Sequence, residues 1–256
     1  MLPDVFGPAN RMRCVAQLER LPSYKRFKSS KIVSAVLIPL CLVQNIPSVL
    51  FVKRPMKMRR NPGEVGFPGG KCDPEDEGDV VRTALRETQE EIGLDPNSVD
   101  IWCVMPRVDA RVTIYPVLGF CGRIDLPQLS QSSSSDSLNI NTEEVSDVFV
   151  RSIDWLTHPD TLRYTQMRLD ATYFLAPARE GRATEIPRAA HGSLAPAHQL
   201  RLSLPAFGAH PPAGFVEPRI WGATGFILYQ MLRALVPLDS RLPAVVHSRL
   251  SNPANS

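Results

Sequence analysis

The chain has 256 residues, 43% of them apolar and 21% charged, and its 29 basic and 26 acidic side chains leave a formal charge of only +3. That length suits one domain with extensions, and so small a charge argues against a nucleic-acid partner. No apolar run approaches the ~20 residues of a membrane span, no signal-peptide core opens the chain, and five cysteines without zinc-ligand spacing read as free thiols of a reducing compartment.

Residues 1–31 carry seven basic side chains against two acidic ones. That bias has two readings of equal weight: a transit peptide, or a basic surface helix with Val15, Leu18 and Leu21 on its buried side. From Ile32 to Lys53, "IVSAVLIPLCLV" and "SVLFVKR" flank the turn chemistry of "QNIPS" and predict a β-hairpin. A polar, basic loop, "RPMKMRRNPGEVG", then leads to Phe67.

Residues 79–92 give the clearest helical pattern. Asp79 is placed to cap it, Gly93 to end it, and Val81, Leu85, Thr88 and Ile92 fall on one arc. "SVDIWCVMPRV" and "TIYPVLGFCGRI" predict two further strands. A Ser-rich stretch that can bury little predicts a mobile loop. "EEVSDVFVRSIDWLTHP" predicts a strand and a short helix, and "TQMRLDATYFL" another strand. Residues 176–218 hold seven prolines and ten alanines and read as a loop or insertion, with "LRLSLPAF" the exception. "IWGATGFILYQMLRALV" predicts a helix packed on the sheet.

Chemistry concentrates at Glu87, Glu90 and Glu91. Spaced i, i+3, i+4, they share a helix face, predicted to lie opposite the apolar arc. The plain reading is a solvated acidic face with Arg86 paired to Glu90. Like charges near a helix C-terminus, where the macrodipole disfavours anions, make that reading costly unless a divalent cation joins them. Crowded carboxylate oxygens suit Mg²⁺ or Mn²⁺, and Gly69 and Gly70 just upstream let backbone approach metal or phosphate. Metal-assisted hydrolysis of a phosphoanhydride fits these parts, with water as nucleophile because no activated Ser or Cys arrangement is present.

"RETQEEIGL" resembles the end of the Nudix box, Gx5Ex7REUxEExGU, through Arg86, Glu87, Glu90, Glu91, Gly93 and Leu94, with Thr88 at the bulky aliphatic position. The loop before it is two residues longer than the strict spacing, so its acid is Glu75, Asp76 or Glu77. Upstream, "LFVKRPMKMRRNPGEVGFPGG" resembles the LLTxR[SA]x3Rx3Gx3FPGG motif of the coenzyme A diphosphatase subgroup, with Pro55 and Val52 as departures.

The resemblance implies an α/β fold, the Nudix α/β/α sandwich with a mixed sheet and a loop–helix–loop box. It implies hydrolysis of coenzyme A and acyl-coenzyme A at the pyrophosphate, giving 3′,5′-ADP and 4′-phosphopantetheine or its acyl derivative. The alternatives are another nucleoside diphosphate derivative as substrate (a dinucleotide, nucleotide sugar or capped RNA), or an inactive binding module. Glu87, Glu90 and Glu91 would be catalytic and metal-binding, Arg54, Arg59, Gly69 and Gly70 would bind substrate, and Arg86 would support the carboxylates. Glu143 and Glu144 are candidates for a further acid from a late loop.

On this reading the chain divides into the basic segment 1–31, a Nudix core at 32–175, an insertion or loop at 176–218, the domain's C-terminal helix at 219–240 and a flexible tail at 241–256. A small-molecule substrate, a monomer or homodimer, and a mitochondrial location follow from the same resemblance, with the cytoplasm as alternative. The tripeptide "SRL" at 248–250 is not C-terminal, which disfavours the peroxisome.

Overall fold

The computed structural model describes residues 4–25, 32–59, 61–109, 112–124, 138–170, 199–208 and 218–236. The predicted Ser-rich loop, most of 176–218, the tail at 241–256 and the "SRL" tripeptide lie largely or wholly outside the described residues.

Helix α1 (Pro8–Glu19) begins with proline, whose fixed φ suits the first turn. It packs on the C-terminal helix, burying Cys14 and Leu18 fully and Val15 and Leu21 in part. Its basic residues are tied down. Arg11 forms a two-point ion pair with Asp100 and donates to the Ile101 carbonyl, while Asn10 and Arg13 donate to the Leu235 carbonyl at 2.9 and 2.7 Å.

A short β1 (Tyr24–Lys25) precedes β2 (Val33–Val43) and β3 (Ile46–Lys53). The predicted hairpin forms, but its turn is only Gln44–Asn45, both at positive φ (50° and 64°). That two-residue geometry matches the strand twist. Pro47 therefore lies inside β3, one residue before the ladder to the next strand begins at Ser48, where its missing N–H costs no bond to that neighbour.

Then follow β4 (Val65–Gly66), β5 (Gly69–Lys71), α2 (Val80–Ile92), β6 (Asp100–Val104), β7 (Val108–Asp109) and β8 (Thr113–Arg123). The described chain continues with β9 (Asp147–Ser152), α3 (Ile153–Leu156), β10 (Leu162–Asp170), β11 (Gln199–Phe207) and α4 (Gly222–Leu235). "LRLSLPAF" is thus the heart of a strand, antiparallel to β10 from Leu162↔Phe207 to Asp170↔Gln199.

Among the described residues, nine strands form one mixed sheet. β2 runs parallel to β8 along one edge; along the other it pairs antiparallel with β5 at Ser34–Val36 and with β3 at Leu40–Val43. β3 pairs with β9 on its far side and with β4 at Val52–Lys53. β2 and β3 therefore part like a fork, and β4 and β5 fill the gap. One apolar layer lies between the sheet and α1 with α4, built from residues such as Leu18, Phe51, Leu118, Leu228 and Tyr229. The other, around Leu37, Leu50, Ala84, Ile92 and Val117, seals α2 to the opposite face. The order is helix, sheet, helix, as expected. Among the described residues no helix is long and apolar enough to cross a membrane.

Candidate functional site

Asp79 caps α2 through Oδ1, which accepts from the Val81 and Arg82 amides at 2.8 and 3.3 Å. Gly93 closes the helix at φ 73°. Both ends match the sequence reading, but the buried face does not fully match. It consists of Thr83, Ala84, Thr88, Glu91 and Ile92, while Val81 and Leu85 are only partly covered.

The three glutamates therefore occupy different settings: Glu91 is 3% exposed, Glu87 is mostly covered, and Glu90 is open to solvent. The cause is the strand beneath. Gly69–Gly70 presents backbone without side chains, so carboxylates rather than aliphatic groups fill the space between β5 and α2. The Gly69 amide donates to Glu91 Oε2 at 3.0 Å. Gly69 has φ 146°, and a Cβ there would strike the Ala35 carbonyl and the Val36 Cα. A Cβ on Gly70 would overlap the Glu87 carboxylate.

Arg86 gathers the region. Its Nε and Nη2 donate to the two oxygens of Asp76, both at 3.0 Å. Nη1 reaches Glu90 at 3.1 Å and Glu87 at 3.1 Å, and Nη2 also donates to the Lys71 carbonyl. Asp76, 1% exposed, additionally accepts from the Thr83 hydroxyl and the Asp73 amide, each at 2.9 Å. The Arg86 guanidinium, joined by the Asp73 amide and the Thr83 hydroxyl, holds its carboxyl well below the usual carboxylate range. Of the three acids that the lengthened loop offers, Asp76 is the one drawn inside, and it serves Arg86 rather than the open face. Its signal in the sequence is the capping box Asp73-Pro74-Glu75-Asp76, which opens a 3₁₀ turn and folds Asp76 inward.

Burial pushes the Glu91 carboxyl up to about 7, opposed by the Gly69 amide and the Arg54 charge and reinforced by Glu87 and Glu144. Burial likewise raises Glu87, with Arg86 opposing and Glu90 and Glu144 adding to the rise. Arg54 thus stands close enough to act on Glu91, and its Nε is buried without a hydrogen-bond partner among the described residues. Arg59 is exposed on the same loop. Glu143 and Glu144 are both exposed; Glu143 pairs with Lys57 at 2.6 Å, whereas the charge of Glu144 acts on the two buried glutamates.

Among the described residues, no three His, Cys, Asp or Glu side chains form a ready cage for a metal ion. The pull of Arg86 on Glu90 leaves Glu87 and Glu91 as the covered pair. Two desolvated carboxylates whose ionisation burial opposes, beside glycine backbone, do fit a hard cation that keeps several of its waters. A cation there would offset the cost that burial places on both.

Residues 32–175 match the NUDIX domain family. The mouse (Mus musculus) mitochondrial coenzyme A diphosphatase NUDT8 is 42% identical over 64% of this chain and 74% of its own length. The human (Homo sapiens) mitochondrial coenzyme A diphosphatase NUDT8 is 33% identical over 93% of this chain and 83% of its own length. Among solved structures, a C. elegans Ap4A hydrolase binary complex aligns with 48% of this chain and 81% of its own at 16% identity, with a TM-score of 0.37. With more than half its length inside the matched domain and a relative aligned along nearly all of it, the chain belongs to the Nudix hydrolase family.

Proposed function

We propose that this Nudix hydrolase cleaves the pyrophosphate of coenzyme A and acyl-coenzyme A, giving 3′,5′-ADP and 4′-phosphopantetheine or its acyl derivative. One observation carries the reading: the upstream motif sets Arg54 directly after β3 and Gly69 on β5, where the Gly69 amide binds Glu91 and the Arg54 charge acts on the same carboxylate. A partly buried guanidinium whose Nε lacks a partner among the described residues, a side-chain-free backbone and two covered carboxylates so meet at one fork in the sheet. The two mitochondrial coenzyme A diphosphatases that align with the chain support the same substrate.

Nudix hydrolases need a divalent metal, and Mg²⁺ or Mn²⁺ suits oxygen ligands that include Glu87 and Glu91. When bound, the ion supplies charge neutralisation for the pyrophosphate and a more acidic water. Arg54 can offer Nε together with a terminal nitrogen to two phosphate oxygens, a bidentate geometry that lysine would not provide. Arg59, from the same loop, screens the substrate's outer phosphate. The Gly69 and Gly70 backbone allows phosphate to approach, while Arg86 holds Glu87 and Glu90 in place and touches no substrate. Glu144 is the candidate to take the proton of the attacking water, because it is solvent-exposed and its charge acts on both buried glutamates.

The relatives' names support a mitochondrial location. The packing of Cys14 and Leu18 favours keeping residues 8–19 in the working enzyme. One protomer holds all the residues named, so a monomer suffices for the chemistry.

Turnover of coenzyme A, acetyl-coenzyme A, ADP-ribose and NADH by purified protein with Mg²⁺ or Mn²⁺ tests the reading. Coenzyme A and its acetyl ester should be cut fastest, and Glu91→Gln should lose at least ~100-fold in kcat. Faster cleavage of ADP-ribose or NADH would overturn the substrate assignment.

A further inference from the structure

Two loops rim the carboxylates. The first follows β3 and carries Arg54; it turns tightly at Pro55–Met58, where the Met58 amide donates to the Pro55 carbonyl at 3.2 Å. The second precedes β9 and carries Glu143 and Glu144, and it is fixed at both ends. The Asn141 amide donates to the Glu91 carbonyl at 2.9 Å, which ties its start to the last turn of α2. The amide and hydroxyl of Ser146 both donate to the Lys53 carbonyl, at 2.8 and 3.1 Å, which ties its end to the residue before Arg54. Between those anchors the Glu144 and Val145 amides close onto the Asn141 carbonyl.

The tips of the two loops meet in one ion pair, Lys57 Nζ to Glu143 Oε2 at 2.6 Å. The partners lie 86 residues apart in the chain, and both side chains are more than half exposed. Nothing in local structure requires Lys57 to reach there. In the upstream motif Lys57 stands among Lys53, Arg54 and Arg59, so it would pass for another phosphate contact.

We propose instead that Lys57 is a positioning residue: through Glu143 it latches the substrate loop to the loop that bears Glu144, fixing Glu144 beside Glu87 and Glu91. This rests on the coenzyme A diphosphatase reading above. The Glu143 amide, which donates to Asn141 Oδ1 at 3.1 Å, fixes the backbone next to Glu144, the residue whose charge acts on both buried glutamates. An exposed pair suits this task. It is weak enough to open for substrate entry and product release, and strong enough to bias the closed arrangement.

The test is steady-state kinetics on coenzyme A with Mg²⁺ for Lys57→Ala, Glu143→Ala, Lys57→Glu, Glu143→Lys and the exchanged pair Lys57→Glu/Glu143→Lys. Amide hydrogen exchange of Glu144 and Val145 is followed in each without substrate. Each single variant should lose about fivefold in kcat with little change in KM, the factor equivalent to the ~1 kcal/mol at the upper end for exposed ion pairs. Exchange at both amides should quicken by a similar factor. The exchanged pair should recover both readouts to within about twofold of wild type, as a direct pairwise coupling requires.

A rise in KM for Lys57→Ala with kcat intact, and no recovery in the exchanged pair, would make Lys57 a substrate contact and overturn the latch. Wild-type kinetics and exchange in all single variants would overturn it too. Wild-type protein inert toward coenzyme A but active on another nucleotide would instead count against the substrate reading, and the exchange data would still decide the latch.

Discussion

Replacing Glu91 by glutamine should stabilise the metal-free protein while disabling it. Glu91 is 3% exposed, and burial lifts its carboxyl from 4.5 to about 7. A group whose folded value lies above its unfolded one binds more protons in the folded state, so stability falls as pH rises between the two. The burden is absent below about pH 4 and complete above about pH 7, where it amounts to about 3 kcal/mol. Glutamine keeps an oxygen for the Gly69 amide and carries no charge. In EDTA at pH 8 the variant should therefore melt about 6–12 °C above wild type, the shift such an energy gives a domain of this size. At pH 4.5 the two should melt within a few degrees of each other. Saturating Mg²⁺ should raise only the wild type and close the gap. The assay is differential scanning calorimetry across that pH range with and without chelator. A variant less stable than wild type at pH 8 in EDTA, or a gap that does not change with pH, would refute the reasoning.

Gly70→Ala should keep the fold by circular dichroism yet lower kcat/KM by about 100-fold, because the new methyl occupies the place of the Glu87 carboxylate. Asp76→Ala strips Arg86 and Thr83 of their shared buried partner and should cost about 3–5 kcal/mol in urea unfolding. Because the Asp76 carboxyl is held low, the wild type should owe part of its stability to Asp76 above about pH 4 and lose it as pH falls further, whereas Asp76→Asn should lack that acid limb. Leu18→Ala opens a cavity beneath α1 and should cost about 2–5 kcal/mol, measured by the same unfolding, with kcat on coenzyme A unchanged at temperatures where the variant stays folded.

Much of the scaffold was legible because local chemistry and tertiary need agree. Asp79 and Gly93 mark α2 by capping preferences that act within a few residues, and long apolar runs mark β2, β3 and β8 as strands between two layers. Other features depend on partners far along the chain. Proline and alanine around "LRLSLPAF" mask β11, which exists through its ladder to β10. The helical arc of Val81 and Leu85 suggested a buried face that the glycine strand shifts toward Glu91, a rotation set by the absence of side chains on β5. The glutamates were found by spacing, but their inequality was not, since Glu90 differs from Glu91 through Arg86 and Gly69 rather than through its place in the motif. Asp76 was narrowed to three candidates, and a capping box could have selected it. Lys57 and Glu143 have no signal in the sequence that joins them.

The most direct test of the central claim is to identify the products when purified protein meets coenzyme A and Mg²⁺ or Mn²⁺, separated by liquid chromatography against a metal-only control. Equal amounts of 3′,5′-ADP and 4′-phosphopantetheine, lost on adding EDTA and absent with Glu91→Gln, are the predicted result. Release of the 3′-phosphate with the pyrophosphate left intact, or products that persist undiminished in EDTA, would contradict it.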